Sequence, residues 1–338
     1  MPLSSLTRLR RKSARGMQAA AFALNRQLDR FDDKLFVLGD GRSGTTWLAN
    51  LLNFDSRYRV MFEPFLTRNF RPAISYQSEY PFPDAASGDS VDTHIRKALQ
   101  GNYVSGLVNV HPPRLLYSGL MIKDISSQLI LDQVCDLAPT MKGVMILRHP
   151  FAVASSKSRT FSWPSDPMSF LSADNPRRGE IERFGEVMEN VVASQDPLLI
   201  QVLLWCLVHW YVFSSRAIHA FALVFYEDLV LNPQEELPRL FSDLELDSRY
   251  TENKHKVEQK LSQESHVTFR NNAIAASKDR KALWHDQWES ATIDAGLNIL
   301  EHFGFSGVYS DGFSPGMNID QVLPFFVQAI GGKSKDHE

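Results

Sequence analysis

The sequence predicts an α/β protein in which a central parallel sheet carries helices on both of its faces. Short apolar runs of strand length alternate along the chain with longer segments of helical periodicity, as parallel β-α-β units require. A glycine-rich turn separates the first such run, residues 35–39, from the helical segment 45–53. No repeat of fixed period and no strong boundary interrupts this order. We therefore expect one principal domain, with its ligands at the carboxyl ends of the strands.

The individual elements follow from apolar runs, periodicity and stop signals. The second strand, for example, ends before Pro64, because a proline restricts the residue that precedes it. The predicted strands are residues 35–39, 59–62, 119–123, 142–147 and 222–226. The predicted helices are residues 16–30, 45–53, 127–137, 151–158, 180–193, 198–220, 235–244, 251–262 and 291–303. Two stretches rich in proline, serine and aromatic residues, 75–88 and 161–178, are interpreted as long functional loops.

Composition and charge narrow the class of protein. Of the 338 residues, 43% are hydrophobic and 22% are charged, as in soluble globular proteins that bury a sizeable core. The formal net charge of -3 gives no global positive field, so a nucleic-acid partner is not expected and any anion must be bound by local clusters of arginine and lysine. Cys135 and Cys206 are interpreted as two buried thiols, with neither a disulfide nor a metal site. These features favour a reducing, cytoplasmic location.

The amino-terminal residues form a basic arm ahead of the predicted helix 16–30. The cations of this arm are Arg8, Arg10, Arg11, Lys12 and Arg15. The arm lacks the apolar core of a secretory signal. The longest apolar stretch, residues 198–213, is shorter than the roughly 20 residues that span a bilayer, and it is predicted to be a buried helix. No transmembrane segment is therefore expected, while a peripheral membrane contact through the basic arm stays open.

The most informative motif lies between the first strand and the helix that follows it. Glycines let the backbone approach an anion there, and the first N–H groups of the helix point at that anion. Gly39 and Gly44 have the spacing of the triphosphate loop GxxxxGKS or GxxxxGKT, but Thr45 replaces the lysine that bridges the β- and γ-phosphates. Arg42 supplies a cation from within the loop instead. A glycine loop is weak evidence by itself, whereas the full run through Trp47 is far more specific.

That run, RSGTTW, resembles the 5′-phosphosulfate loop of the sulfotransferase family, in which the first residue is arginine or lysine. The resemblance implies a P-loop-NTPase-like sulfotransferase fold and the donor 3′-phosphoadenosine 5′-phosphosulfate, without a metal. It implies that Trp47 stacks on adenine and that the 5′-phosphate and sulfate are held by Arg42, Ser43, Gly44, Thr45 and Thr46. Arginine at this position resembles the carbohydrate and bacterial members. Because arginine does not readily give up a proton, we assign Arg42 electrostatic stabilisation.

A second anion-binding motif follows the fourth predicted strand. The strand 142–147 runs into Arg148 and His149, and Pro150 opens the next helix. The sulfotransferase 3′-phosphate motif places a serine eight residues after the arginine, and Ser156 has that spacing from Arg148. Because the donor carries a separate 3′-phosphate, a second phosphate site downstream of the first is what it requires. His149 is expected to shape this loop rather than to transfer a proton.

Two weaker matches extend the resemblance. The segment from Phe225 to Leu229, followed by Asn232 and Pro233, is similar to the family pattern YEDL…NP, which implies that Tyr226 approaches adenine. Arg280 and Lys281, with Asp286 and Trp288 downstream, resemble the pattern RKGxxGDW that closes over the 3′-phosphate. Ala282 replaces a glycine of that pattern, and the spacing to the aspartate is longer by one residue. A solvated basic turn therefore stays open as an alternative.

Sulfuryl transfer needs a base at the acceptor hydroxyl and positive charge on the departing phosphate oxygen. Glu63, which closes the strand after the phosphate-loop helix, is the predicted base, and carbohydrate and bacterial sulfotransferases carry a similar glutamate. His111 is the alternative base, and a turn-capping role is the alternative for Glu63. Lys123, at the end of the third strand, is the predicted second cation; a structural ion pair with an acid such as Asp124 is its alternative.

The acceptor is predicted to carry a hydroxyl group. The glutamate type of base favours a carbohydrate or glycoconjugate, while a lipid or small alcohol stays open. The acceptor is expected to meet residues 75–88, 101–117 and 161–178. Their aromatic residues suit stacking on sugar rings or contact with an apolar alcohol. These residues are Tyr76, Tyr80, Phe82, Tyr103, Phe161, Trp163 and Phe170.

The sequence thus divides into a basic arm and helix (residues 1–30), a sulfotransferase domain (31–310) and a carboxyl-terminal tail (311–338). Two other functions are considered. A P-loop kinase or nucleotide hydrolase would need a lysine where Thr45 stands. A donor-binding protein without catalysis would not need Glu63, Lys123 and Arg42 together.

Overall fold

Five parallel strands form one sheet at the centre of the molecule. The computed structural model describes residues 5–66, 80, 91–103, 107–111, 114–159, 163, 166–261, 284 and 288–332. The strands are β1 (Lys34–Leu38), β2 (Tyr58–Phe62), β3 (Gly119–Asp124), β4 (Lys142–Leu147) and β5 (Phe221–Phe225). Their order across the sheet is β2-β3-β1-β4-β5, and every neighbouring pair is parallel. All five carboxyl ends therefore lie at one edge, with β1 in the middle.

Helices cover both faces of this sheet. They are α1 (Ser5–Gln27), α2 (Thr45–Leu52), α3 (Val91–Leu99), α4 (Leu131–Leu137), α5 (Pro150–Ser158), α6 (Arg178–Ile181), α7 (Gly185–Ser194), α8 (Pro197–Phe213), α9 (Tyr226–Leu231), α10 (Pro233–Asp243), α11 (Asp247–Leu261), α12 (Ser290–His302) and α13 (Ile319–Gly332). Short 3-10 turns span Gln128–Ile130, Pro167–Leu171, Glu182–Phe184 and Arg216–Ala220. The predicted fold class, a parallel sheet between two layers of helices, is confirmed.

The strands alternate between two hydrophobic cores because successive side chains point to opposite faces. Leu35 and Val37 of β1 face a core shared with α2, α10 and α11. Phe36 and Leu38 face the larger core, shared with α5, α8 and α12. Burial on both faces explains why the strands are continuous apolar runs rather than alternating ones.

Helix α8 is the central helix of the larger core. Asp196 caps it by accepting hydrogen bonds from the backbone N–H groups of Leu198 and Leu199, and Pro197 occupies its first turn. Of its 17 residues, only Pro197, Leu198 and Ile200 are not buried. The predicted buried helix is thus confirmed. None of the helices in the described ranges is long and apolar enough to cross a bilayer.

Several predicted boundaries are wrong, for local reasons. The predicted helix 198–220 ends at Phe213, because the Ser214 hydroxyl donates back to the carbonyl of Trp210 at 2.6 Å and Ser215 caps the following 3-10 turn. The predicted helix 180–193 is divided by the 3-10 turn Glu182–Phe184. Tyr226 begins α9 instead of ending β5.

The two flanks of the predicted domain each contain a helix. Helix α1 begins at Ser5, earlier than the predicted residue 16, and its Phe22 is buried in the larger core. Helix α13 lies in the predicted tail, where Val322 and Phe326 are buried in the same core. Both helices therefore pack on the sheet layer that carries α8.

Candidate active site

The loop after β1 leaves the first N–H groups of α2 without a capping side chain. Gly44 occupies the N-cap position with a φ of 96°, a left-handed conformation that disfavours residues with a Cβ, and a Cβ there would lie 2.9 Å from the ring of Tyr226. Because glycine has no side chain, no cap side chain occupies the first N–H groups of α2. The adjacent Ser43 is buried, and its hydroxyl has no hydrogen-bond partner among the described residues. Such a helix start is suited to an anion.

The two predicted phosphate motifs meet at Arg42. The Nε atom of Arg42 donates to the Ser156 hydroxyl at 2.8 Å, and Arg148 donates to the carbonyl oxygen of Arg42 at 2.9 Å. Burial lowers the pKa of Arg42, and the positive charges of Arg148 and Arg159 lower it further. The buried Nε atom of Arg148 has no partner in the described part of the chain. Several guanidinium groups therefore concentrate positive charge beside the start of α2, as a polyanionic ligand requires.

Aromatic rings border this cationic cluster on the β5 side. Tyr226 lies with its ring 4.4 Å from the guanidinium carbon of Arg148. Trp47, on α2, packs edge to face against Tyr226 with ring centroids 5.6 Å apart, and its indole N–H donates to the carbonyl of Leu261 at 3.3 Å. The two residues predicted to contact adenine are therefore neighbours, and both adjoin a predicted phosphate ligand.

Glu63 and Lys123 form a buried ion pair on the other side of β1. The Lys123 ammonium donates to Glu63 Oε1 at 2.7 Å, and the two side chains are 2% and 9% exposed. Burial lowers the pKa of Lys123, and the charge of Glu63 opposes that shift. Glu63 has a φ of 49°, which is uncommon for a residue other than glycine, and its N–H bonds to the carbonyl of Lys123 at 2.7 Å. The backbone of β3 thus holds the turn that presents Glu63.

Asp124 has a different role from the one considered for it. Its carboxylate accepts the backbone N–H of Phe65 at 2.9 Å and that of Ser126 at 2.8 Å. Burial raises the pKa of Asp124 to about 6, while these hydrogen bonds act against the shift. Asp124 therefore anchors the turn that carries Glu63, and the hydrogen-bonded acid of Lys123 is Glu63.

His149 is a buried structural residue. Its Nε2 atom donates to the carbonyl of Ser310 at 2.9 Å, its Nδ1 atom accepts the N–H of Phe151, and its ring stacks on Trp284. Burial lowers its pKa to about 4, so the imidazole is neutral at neutral pH. The backbone N–H of His149 donates to Glu227 at 2.9 Å, which ties the residue after Arg148 to the residue after Tyr226.

The other predicted residues are placed as follows. Thr45 and Thr46 form the first turn of α2. His111 lies on the segment 107–111, which bonds to the end of β2 through the N–H of Phe62 and the carbonyl of Val108 at 2.9 Å. Arg280, Lys281 and Asp286 lie outside the described residues. Trp288 donates to the Ser155 hydroxyl at 2.7 Å, so it contacts α5 next to Ser156.

Two of the predicted acceptor aromatics are part of the core. Tyr80 and Phe170 are 5% and 0% exposed, and their ring centroids are 5.9 Å apart. Both side chains pack in the larger core, so their contact with an acceptor stays a prediction. Trp163 is half-buried against the loop, where a Cβ on Gly41 would overlap its indole ring. Tyr76, Phe82 and Phe161 lie outside the described residues.

One charged pair at the site was not predicted. Asp40, in the loop, accepts two hydrogen bonds from Lys157 of α5, at 2.8 and 2.6 Å, and both side chains are 1% exposed. The residues are 117 positions apart, and neither stands at a position that a matched motif specifies. The signal available in the sequence was the position of Lys157 directly after Ser156. Within the described ranges, no group of three or more His, Cys, Asp and Glu side chains is arranged to hold a metal ion.

The family model described as "Sulfotransferase family" matches residues 34–252. Two solved structures are similar: a sulfotransferase domain from the curacin biosynthetic pathway and a sulfotransferase from Alicyclobacillus acidocaldarius. The first is 16% identical with a TM-score of 0.37, covering 70% of this chain and 81% of that chain. The second is 11% identical with a TM-score of 0.37, covering 80% of this chain and 94% of that chain. No curated protein matches the sequence of this chain.

The match spans from the first residue of β1 into α11, and so includes Glu63, Lys123 and both predicted phosphate motifs. It covers more than half of the chain. The protein therefore belongs to the sulfotransferase family.

Proposed function

We propose that this protein transfers the sulfuryl group of 3′-phosphoadenosine 5′-phosphosulfate to a hydroxyl of a carbohydrate or glycoconjugate. The observation that carries the proposal is the position of Arg42. It lies at the open start of α2 and is bonded to both residues of the second phosphate motif, Ser156 and Arg148. Two adjoining anion sites suit one nucleotide with a phosphate on each side of its ribose.

In the proposed donor complex, the first N–H groups of α2 and the Ser43 hydroxyl bind the 5′-phosphosulfate. Arg148 and Ser156 bind the 3′-phosphate, and the rings of Trp47 and Tyr226 contact adenine. The cluster supplies unsatisfied donors for these roles, since Ser43 Oγ and Arg148 Nε lack partners among the described residues. The predicted contribution of Arg280 and Lys281 belongs to the same proposal.

In the proposed reaction, the acceptor oxygen attacks sulfur in line with the bridging oxygen of the phosphosulfate. A new O–S bond forms as the S–O bond to phosphate breaks, and Glu63 takes the proton of the hydroxyl. The products are a sulfate ester and 3′-phosphoadenosine 5′-phosphate. Lys123 and Arg42 stabilise the negative charge that develops on the departing oxygen. Lys123 also holds the Glu63 carboxylate, at 2.7 Å, in the orientation needed to accept the proton.

The acceptor assignment is supported by the base and by Trp163. Glu63 resembles the glutamate of carbohydrate and bacterial sulfotransferases. The cytosolic small-molecule members instead use a histidine after Lys-Thr as the base, and no Lys-Thr-His run is present in the sequence. Trp163 lies against Gly41 of the phosphosulfate loop, where an indole face can stack on a sugar ring near the transferred group.

Calorimetry separates this function from that of a kinase or nucleotide hydrolase. We expect 3′-phosphoadenosine 5′-phosphate to bind at least tenfold more tightly than ATP with magnesium. Equal or tighter binding of ATP with magnesium would refute the donor assignment. Turnover is then measured with labelled donor against panels of oligosaccharides, lipids and small alcohols. Tight nucleotide binding with no transfer to any acceptor would support the non-catalytic alternative.

A further inference from the structure

The ion pair between Asp40 and Lys157 joins the loop after β1 to α5. Both side chains are 1% exposed, and the ammonium lies 2.8 and 2.6 Å from the two carboxylate oxygens. Asp40 also accepts the N–H of Gly41 at 2.7 Å through its side chain and the N–H of Ser43 at 3.1 Å through its carbonyl oxygen. Asp40 is therefore bonded to two N–H groups of the loop and to one ammonium group of a helix.

The neighbouring residue of α5 provides a second tie to the same loop. Ser156 accepts a hydrogen bond from Arg42 at 2.8 Å, one position before Lys157. Two consecutive residues of α5 thus bond to residues 40 and 42. Arg42 has a φ of 71°, and its backbone carbonyl is held by Arg148. The loop is fixed at points on either side of Gly41.

The stability of the fold does not by itself account for a buried charge pair at this position. Removing two charges from water costs several kcal/mol per ion, and replacing such a pair with apolar groups is often neutral or stabilising. The position matters for another reason, because a carboxylate beside an anion site repels the ligand. At an effective dielectric constant of about 20, two unit charges about 6 Å apart interact by nearly 3 kcal/mol. Lys157 removes this repulsion at Asp40.

We propose that Asp40 and Lys157 are positioning residues for the 5′-phosphosulfate. Asp40 shapes the loop through the N–H groups of Gly41 and Ser43, and Lys157 neutralises Asp40 while anchoring it to α5. This proposal rests on the proposed donor. It assigns the pair to the 5′ side of the nucleotide only, because Arg148 is the cation of the 3′ side.

The test compares two ligands that differ at the 5′ position. Binding of 3′-phosphoadenosine 5′-phosphate and of adenosine 3′-phosphate is measured by calorimetry for wild type, Lys157→Met and the double variant Asp40→Asn/Lys157→Met. In Lys157→Met, the remaining carboxylate should weaken binding of the bisphosphate about 100-fold. Binding of adenosine 3′-phosphate should change by less than about threefold. The double variant should recover part of the loss, because no uncompensated charge is left.

A control uses a partly buried ion pair at the other end of α2. Arg249 donates to Asp55 at 2.5 Å, with the two side chains 7% and 29% exposed. The double variant Asp55→Asn/Arg249→Met should leave both affinities unchanged. Thermal unfolding of each variant identifies any that do not fold. If Lys157→Met does not fold, the double variant alone must still lose at least about tenfold in bisphosphate affinity while it keeps adenosine 3′-phosphate binding.

The outcomes separate this inference from the donor assignment. Equal losses for the two ligands would show a merely structural pair and overturn the inference, as would unchanged bisphosphate binding in Lys157→Met. If wild type binds neither ligand, the proposed donor is wrong and the pair has no positioning role toward it.

Discussion

Replacing Glu63 with glutamine tests the proposed base and the buried ion pair in one experiment. The substitution keeps an oxygen that can accept from Lys123 but removes the charge that compensates it. Lys123 is 2% exposed, so its ammonium would be left almost without solvent. Breaking a buried pair by removing one partner costs about 3–5 kcal/mol of stability. Loss of a general base lowers turnover about 10²- to 10⁴-fold.

The loss of stability caused by Glu63→Gln should depend on pH in a predictable direction. Burial already lowers the folded-state pKa of Lys123 below its unfolded value, and Glu63 opposes that shift. Without Glu63, the folded-state pKa falls further, so the unfolded chain binds the proton more strongly than the folded one. The stability penalty of Glu63→Gln should therefore be largest at neutral pH and should shrink as the pH rises toward the unfolded value of 10.5.

Stability is measured by urea unfolding from pH 7 to 10. Calorimetry measures the binding of 3′-phosphoadenosine 5′-phosphate, and a single-turnover assay measures the rate of sulfuryl transfer. The double variant Glu63→Gln/Lys123→Met removes both charges of the pair and serves as the control. We expect it to regain most of the stability without regaining turnover. Turnover by Glu63→Gln within about threefold of wild type would remove Glu63 as the base and leave His111 to be tested. A penalty that does not depend on pH would contradict the account of the pair.

Three other predictions concern the nucleotide side of the site. Arg148→Gln should weaken 3′-phosphoadenosine 5′-phosphate about 30-fold in calorimetry, with little change for adenosine 5′-phosphate; equal losses would argue against a 3′-phosphate role. Gly44→Ala should cost about 1–2 kcal/mol in urea unfolding from its left-handed backbone alone, and should weaken the nucleotide by displacing the Tyr226 ring, 2.9 Å from the new Cβ. Glu227, whose pKa burial raises to about 7, contributes stability that is full below its unfolded pKa of 4.5 and is lost as the pH rises through 7. Glu227→Gln should therefore gain stability relative to wild type between pH 5 and 8, by at most about 3 kcal/mol; a flat difference would contradict this assignment.

The parts of the fold that the sequence predicted are those that depend on local signals. All five strands, for example β4 at residues 142–147, were located within one residue at each end, since they are apolar on both faces and bounded by turns. The second phosphate motif was recognisable because Arg148, Pro150 and Ser156 lie within nine residues on one strand end and one helix. The end of α8 at Phe213 was missed, because it depends on the hydroxyl groups of Ser214 and Ser215 bonding to nearby backbone.

Contacts across the fold could not be predicted in the same way. The partner of Lys123 is Glu63, 60 positions away, and not the adjacent Asp124, because successive residues of a strand point to opposite faces. Tyr80 and Phe170 were assigned to an acceptor surface from composition alone, yet each fills the core next to the other. Asp40 and Lys157 have no sequence pattern in common. Each of these contacts joins residues that are far apart in the sequence.

The strand order has a consequence for how this protein can be altered. The residues assigned to the nucleotide follow β1, β4 and β5, while the proposed base follows β2 and its lysine lies at the end of β3. The β2–β3 half and the β1–β4–β5 half of the sheet are joined by the pairing of β1 with β3. Chimeras that exchange the β2–β3 half between homologues should therefore exchange the base and its lysine, while the recipient keeps its nucleotide affinity and its Trp163.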